Sequence, residues 1–271
     1  MNSHLSVLVL HRLLPRLLTA GLALGAHWLA HAEGPEPEQS ISYNVGAVSD
    51  YRVRGIAQTS FKPAIQGGID FADKSGLYIG TWASNVRWVK ALNGATKGSV
   101  EVDVYGGYRG ALDVLPLTYD VGVITYQYPG NNSGVAGALP AGTFGNASTV
   151  EAYISGTYKI FTLKYNRSLG NFMGNLHSHG SQYFDLSAAI DLTNGFSLVP
   201  HVGHQSIPGQ ADVGLDGNYT DESLTLAKDF GNGLSATLAA TATDAKRSFY
   251  TDTHGRFLGK NAVEAGVKYS F

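Results

Sequence analysis

From residue 41 onward, apolar and polar side chains alternate along the chain with a period of two. Ile41, Tyr43, Val45 and Ala47 share one parity, while Ser42, Asn44, Asp50, Arg52 and Arg54 share the other. Further on, Val100, Val102, Val104 and Tyr108 alternate with Glu101, Asp103, Tyr105 and Arg109. Successive side chains of an extended chain point to opposite faces, so each run predicts a strand with one apolar face. Twelve such runs are found, at 41–55, 61–72, 77–86, 99–109, 117–128, 150–159, 161–168, 182–191, 196–205, 222–228, 234–243 and 261–271. In the run 77–86 the faces are ambiguous, because Ile79 and Trp82 have opposite parity.

The links between runs alternate in length. Asp73-Lys74-Ser75-Gly76, the stretch around Asp113, Ile160, Thr193-Asn194-Gly195 and Gly231-Asn232-Gly233 are tight turns with Gly and Asn chemistry. Between them lie longer links rich in Gly, Ser and Asn, at 129–149, 169–181, 206–221 and 244–260. Short turns alternating with long loops are the pattern of an outer-membrane barrel. An even strand number places both ends of the barrel on the periplasmic side. A ten-residue strand at about 3.3 Å per residue, tilted about 40°, covers the apolar band of roughly 25 Å.

A soluble β-sandwich would share the alternation but carry a face rich in Lys and Glu. Here the polar face is mainly Ser, Thr, Gly, Tyr and Asn, and charged residues make up only 15% of the chain. Soluble domains carry about 25%. Glycine is abundant at 34 residues, and Tyr (15) with Phe (11) adds 26 aromatics. This composition suits an outer surface against lipid and a polar interior. No apolar run after residue 32 is long enough for a spanning helix, so a membrane crossing has to be made by strands in a closed barrel. The expected fold is therefore all-β: an antiparallel up-and-down barrel of about twelve strands over 41–271, after a short polar linker at 33–40.

The N-terminal region reads as a signal peptide. His4, Arg12 and Arg16 precede an apolar run at 17–30, and Ala30-His31-Ala32 supplies a cleavage site, so the mature chain is expected to start at Glu33. The leader carries two Arg and no acid, so the mature chain holds 17 basic and 21 acidic residues, a net charge of −4. That balance argues against a nucleic-acid footprint. The chain has no cysteine, which removes disulfide and thiolate chemistry.

The last run ends the chain. Val263, Ala265, Val267, Tyr269 and Phe271 share a face, and Glu264, Gly266, Tyr269 and Phe271 have the spacing of a terminal assembly signal read by the barrel-assembly machinery. Asp50, Arg52 and Arg54, with Glu101, Asp103 and Arg109, are candidates to line the lumen. They read either as a filter that sorts solutes by charge or as internal ion pairs that brace the wall. His177 and His179, near Ser178 and Ser181, lie in a Gly-rich link, where no third orienting group makes a nucleophilic site. His201 and His204 are expected on opposite faces of one strand. Tyr43, Tyr51, Trp88, Tyr108 and Tyr119 suit interfacial belts. No catalytic residue, metal ligand or cofactor is assigned.

Ser49-Asp50-Tyr51-Arg52-Val53-Arg54-Gly55-Ile56 resembles a motif of the TorF-type porin family. The segments 63–70 and 75–86, Glu101-Val102-Asp103, and Tyr126-Gln127-Tyr128-Pro129-Gly130 extend the resemblance over roughly 41–130, with Val53 and Ala57 departing from it. The resemblance implies an outer-membrane barrel of poorly defined function, called a porin by analogy. The expected function is passive diffusion of small hydrophilic solutes or ions across the outer membrane of a Gram-negative bacterium. A structural or adhesive barrel acting through its loops is the alternative, with an outer-membrane hydrolase further behind. No segment marks an oligomer interface.

Overall fold

The computed structural model describes residues 19–20, 27–28, 39–112, 115–134 and 144–271. Apart from a two-residue ladder between Thr19–Ala20 and His27–Trp28, the leader and its cleavage site lie outside these residues, as does the turn at Asp113.

The strands are β1 (Gln39–Val48), β2 (Ala64–Asp73), β3 (Leu77–Asn85), β4 (Val100–Leu112), β5 (Leu117–Gln127) and β6 (Thr149–Tyr158). They continue as β7 (Phe161–Ser168), β8 (Gln182–Ala188, resumed at Ile190–Asp191), β9 (Phe196–Ser206), β10 (Tyr219–Gly231), β11 (Leu234–Thr243) and β12 (Ala262–Ser270). Each pairs antiparallel with its neighbour in sequence, and β12 pairs back onto β1, with Ser270 opposite Asn44 and Gly266 opposite Val48. Tyr43 and Phe271 exchange backbone hydrogen bonds of 2.8 and 3.0 Å at the seam. The result is a closed twelve-stranded barrel with no free edge, which is what lipid demands of a sheet.

The apolar parity faces outward. Ile41, Val45, Ile65, Ile79, Ile154, Leu163, Leu224, Leu238 and Val263 are all exposed on the outer wall. The ambiguous strand β3 resolves with Leu77 and Ile79 outward, while Trp82 packs edge-on against Tyr51, 5.5 Å between centroids. Tyr43, Tyr108, Tyr158, Phe161, Phe196, Phe230, Tyr269 and Phe271 are exposed near the ends of strands at the tight-turn rim. They form an aromatic girdle of the kind that sits at headgroup level. Tyr51 and Trp88 do not join it: both are 4% exposed inside the barrel.

Inside, tyrosines lie over glycines of neighbouring strands. A Cβ on Gly203 would sit 2.0 Å from the Tyr183 hydroxyl, and one on Gly80 2.5 Å from the Tyr105 ring. Likewise, Gly122 is covered by Tyr153. This close packing accounts for part of the glycine and tyrosine content, since only a missing side chain leaves room for the ring.

Four strands differ from the sequence reading by three residues or more at an end, the fourth by running on to Leu112 instead of Arg109. The first strand begins two residues earlier than expected, at Gln39, and ends at Val48 rather than Gly55. The second starts at Ala64, because Ser60 and Phe61 take positive φ (53° and 64°) and Pro63 follows. The tenth is longer than expected, Tyr219–Gly231. The turns at 193–195 and 231–233 have positive φ at every residue, as their Asn and Gly content suggested.

A charge on the apolar outer wall is costly, whereas at a position that borders the lumen cavity the same charge stays among polar groups. Leu224→Arg should lower folding stability by about 2–4 kcal/mol if the site lies near the bilayer midplane. Arginine at the lumen-facing neighbour Thr225 should escape that penalty. Urea titration of both variants in vesicles checks the difference.

Candidate functional site

Residues 49–63 leave β1 and fold into the barrel instead of extending outward. Arg52–Val53 and Ile56–Ala57 pair as a minimal hairpin around Arg54 and Gly55. Both central residues have positive φ, 49° and 76°, the geometry of a two-residue turn that matches strand twist. Gly55 also has no room for a side chain: a Cβ would lie 2.5 Å from Thr243 Cγ2 and 2.9 Å from Asp221 Cβ. The tip of the hairpin therefore rests against the wall at β10 and β11.

Its side chains are anchored around the circumference. Arg54 donates to Glu151 on β6 through Nη2 (2.6 Å) and Nη1 (3.2 Å), and to Gln205 Oε1 on β9 (2.7 Å). The Arg54 guanidinium also stacks over the rings of Tyr183 and Phe172, at 4.3 and 5.4 Å. Arg52 Nε lies 2.9 Å from Asp50 Oδ2 and 2.6 Å from Glu264 Oε1 on β12. Tyr51 donates to Glu101 Oε1 on β4 at 2.6 Å. The inward segment thus ties β4, β6, β9 and β12 together through one hairpin.

Asp50, Tyr51 and Arg54 all lie outside the twelve strands. Burial holds the Asp50 carboxyl above its ordinary value, against the pull of Arg52. Burial, and then the Glu101 charge, keeps the Tyr51 hydroxyl protonated and fit to donate. Burial opposes the charge on Arg54, but Glu151 outweighs it and the guanidinium stays cationic.

Above the hairpin, the loops pack an apolar core. A short helix α1 (Trp88–Ala91) docks on the segment, with the N–H groups of Arg87 and Trp88 donating to the Gln58 carbonyl at 2.8 and 3.0 Å. Trp88 meets Tyr128 edge to face at 5.2 Å. One cluster gathers Tyr51, Val53, Val86, Trp88, Ile124 and Tyr128, and a second gathers Ile56, Tyr219, Tyr250 and Leu258. Below the hairpin lies a cavity of about 310 Å³, bordered by polar side chains that include Arg52, Lys164, His201, Thr225, Lys228 and Lys268. At about 10–15 Å³ per water, it has room for some twenty to thirty waters.

The expected lumen charges are thus all inside, but not as one ring on two strands. Asp50, Arg52 and Arg54 do not share a strand face, since the positive φ of Arg54 breaks the extended run. They do not pair with Glu101 or Asp103 either. Asp103 is fully buried, with neither oxygen partnered among the described residues. Arg109 stands apart near the turn rim, 3.1 Å from Asp120 and over the Tyr78 ring at 3.9 Å. Glu151 and Gln205, which hold Arg54, were missed by the sequence reading. Glu151 has the lumen parity of its strand, so an unpaired inward acid was the available signal. Glu264, read as part of the terminal motif, also faces inward as the partner of Arg52.

Elsewhere, His201 Nε2 lies 2.8 Å from Asp185 Oδ2 in the lumen, while His204 is exposed on the other face, as the parity predicted. Ser178 and Ser181 are fully buried loop braces. The Ser178 hydroxyl accepts from Phe172 N (2.7 Å) and donates to the Asn175 carbonyl (2.6 Å). The Ser181 hydroxyl donates to the Ser178 carbonyl at 2.8 Å. His177 and His179 are exposed, so neither serine has a histidine on its oxygen.

Removing Arg54 leaves Glu151 buried without its cation. Arg54→Ala should cost about 3–5 kcal/mol, and adding Glu151→Gln should restore a large part. Urea unfolding of the refolded barrel in micelles reads both numbers.

No curated protein matches the chain. Among solved structures, the KdgM porin in complex with disordered oligogalacturonate aligns at TM-score 0.50 and 8% identity, over 85% of this chain and 98% of that one. The NanC porin aligns at TM-score 0.46 and 10% identity, over 85% and 98%. The Pseudomonas aeruginosa channel OccK5 (OpdH) aligns at 0.41 and 13%, over 86% and 67%. At 8% identity the likeness to the KdgM porin is one of fold alone: a closed, porin-like β-barrel. The family model for bacterial proteins of unknown function, Gcw_chp, matches residues 31–271, and the chain belongs to that family.

Proposed function

We propose that the barrel is a narrow outer-membrane pore for passive diffusion of small hydrophilic solutes or ions, with residues 49–63 as its constriction. The observation that carries this reading is the lumen cavity, bordered by polar side chains and closed on the loop side by a hairpin that ion pairs tie to the wall and that packs above against the two apolar clusters. The resemblance to TorF-type porins points the same way. On this reading the leader directs export and is removed after Ala32.

Asp50, Asp221 and Glu264 border the cavity at the level of the hairpin against Arg52 and Arg54, so removing the two arginines leaves that level acidic. The expected result in a planar bilayer is discrete openings. Arg52→Ala/Arg54→Ala should raise conductance and shift selectivity toward cations. Openings with unchanged selectivity would discard these charges as the filter. A folded but silent barrel would sink the pore reading and favour a loop-mediated structural role.

The last strand serves as the assembly signal on this account. Tyr269 and Phe271 face outward at the seam, stacked 5.7 Å apart, within reach of the barrel-assembly machinery. Deleting Phe271 should reduce outer-membrane insertion in cells while leaving refolding into detergent largely intact. Equal loss in both settings would assign Phe271 to barrel stability alone.

A further inference from the structure

The lumen cavity below the hairpin offers hydrogen-bonding groups that no described residue takes up. Six hydroxyls border it along the contiguous wall from β8 to β11: Ser187, Ser197, Ser223, Thr225, Ser235 and Thr237. All six are half-buried, and none of them meets a partner among the described residues. A lysine stands at each edge of this panel, Lys164 on β7 and Lys268 on β12, and both border the same cavity. Lys268 lies directly opposite Ser235, and Lys164 lies opposite Asp185, two positions from Ser187 on β8. The Lys164 ammonium rests over the Tyr153 ring at 4.2 Å, but neither lysine makes a hydrogen bond or ion pair with a described residue. Both have the lumen parity of their strands and are half-buried, so their accessible surface opens into the lumen.

The other charges on the border are committed. Each of the five carboxylates there, Asp50, Asp185, Asp221, Asp229 and Glu264, meets a donor within 3.0 Å. Arg52 and Arg54 pair with Glu264 and Glu151 respectively, and Lys228 donates to the Asn194 carbonyl. What the cavity leaves open is two ammonium groups with a panel of hydroxyls between them. An ammonium only donates, and one without a counter-charge favours an anionic acceptor. A hydroxyl both donates and accepts, a pattern that the hydroxyls of a polyol match and that a simple anion or a hydrocarbon does not. With room for roughly twenty to thirty waters, the cavity takes a six-carbon chain together with its nearest waters.

We infer that the solute recognised by the lumen is a small polyhydroxylated acid of the class of gluconate. Its hydroxyls lie on the β8–β11 panel and its carboxylate at Lys164 or Lys268. This names a substrate class for the proposed pore, and rests on that reading for the passage of the solute.

Isothermal titration of the folded mature protein in detergent tests the inference with three six-carbon probes. These are gluconate, the neutral polyol sorbitol, and hexanoate, an acid without hydroxyls. The expected result is saturable binding of gluconate, with sorbitol and hexanoate each weaker by about tenfold or more. Lys164→Met/Lys268→Met removes both charges and should bring gluconate down to the level of sorbitol, in a barrel whose fold is verified by resistance to SDS. The three-probe comparison uses the native protein, so it decides even where the variant fails to fold. Absence of saturable gluconate binding up to tens of millimolar would overturn the inference. So would sorbitol or hexanoate binding as tightly as gluconate, or gluconate affinity unchanged in the folded double variant. The titration needs no bilayer. A barrel that conducts but binds no gluconate overturns the inference and leaves the pore, whereas one that binds gluconate but stays silent overturns the pore alone.

Discussion

Arg54 carries a positive charge into the centre of a barrel where its side chain is 4% exposed, and Glu151, fully buried on the wall, is what makes that tenable. Neither group is stable there alone. A guanidinium and a carboxylate taken out of water each lose several kcal/mol of hydration, which only close, well-formed contacts offset. The bidentate approach of Arg54 to Glu151, the third bond to Gln205 and the ring of Tyr183 supply them. Everything on the loop side follows from that anchor. The hairpin lies across the lumen, α1 docks on the hairpin through Gln58, and the two apolar clusters fill the space above.

The barrel is therefore two interiors stacked end to end. Toward the tight turns the lumen is polar and open, lined by lysines and small hydroxyl residues. Toward the loops it is packed with aromatic side chains, as the inside of a soluble domain would be. The interface between the two is the hairpin, tied to the wall by ion pairs and hydrogen bonds and packed through Val53 and Ile56 against the clusters above. Ionic contacts depend on geometry and charge in a way that apolar packing does not, so this is where the molecule is most responsive to substitution or ligand.

The strands were legible because lipid imposes a strict alternation, and a tight turn imposes Gly and Asn. Parity alone placed Glu101, Asp103 and Arg109 inside and Val263, Val267 and Phe271 outside. The inward segment was not legible for the same reason. Asp50, Arg52 and Arg54 continue the alternation of β1, and nothing in periodicity distinguishes a strand that goes on from one that turns back. The cue was local: Arg54-Gly55 can adopt paired positive φ, but a single Gly after a charged residue is weak against six alternating positions. Tyr51 and Trp88 were placed at the membrane interface because aromatic residues concentrate there. Their burial depends on loops whose packing no pattern encodes. Glu264 illustrates the limit of motif reading, since a residue of the terminal signal also closes an ion pair with Arg52 more than two hundred positions away.

The central claim is that residues 49–63 are folded into the lumen and held there. Residue-resolved hydrogen exchange of the refolded mature barrel in micelles tests it most directly. Within the segment, Tyr51 N–H donates to Thr59 Oγ1, Gln58 N–H to the Tyr51 carbonyl and Ala57 N–H to the Leu258 carbonyl, at 3.1, 2.7 and 3.0 Å. These three amides should exchange on the slow timescale of the barrel strands, and Arg54→Ala should accelerate them without affecting amides of β5 or β10. Exchange at the rate of an open surface loop in the native protein would contradict the account.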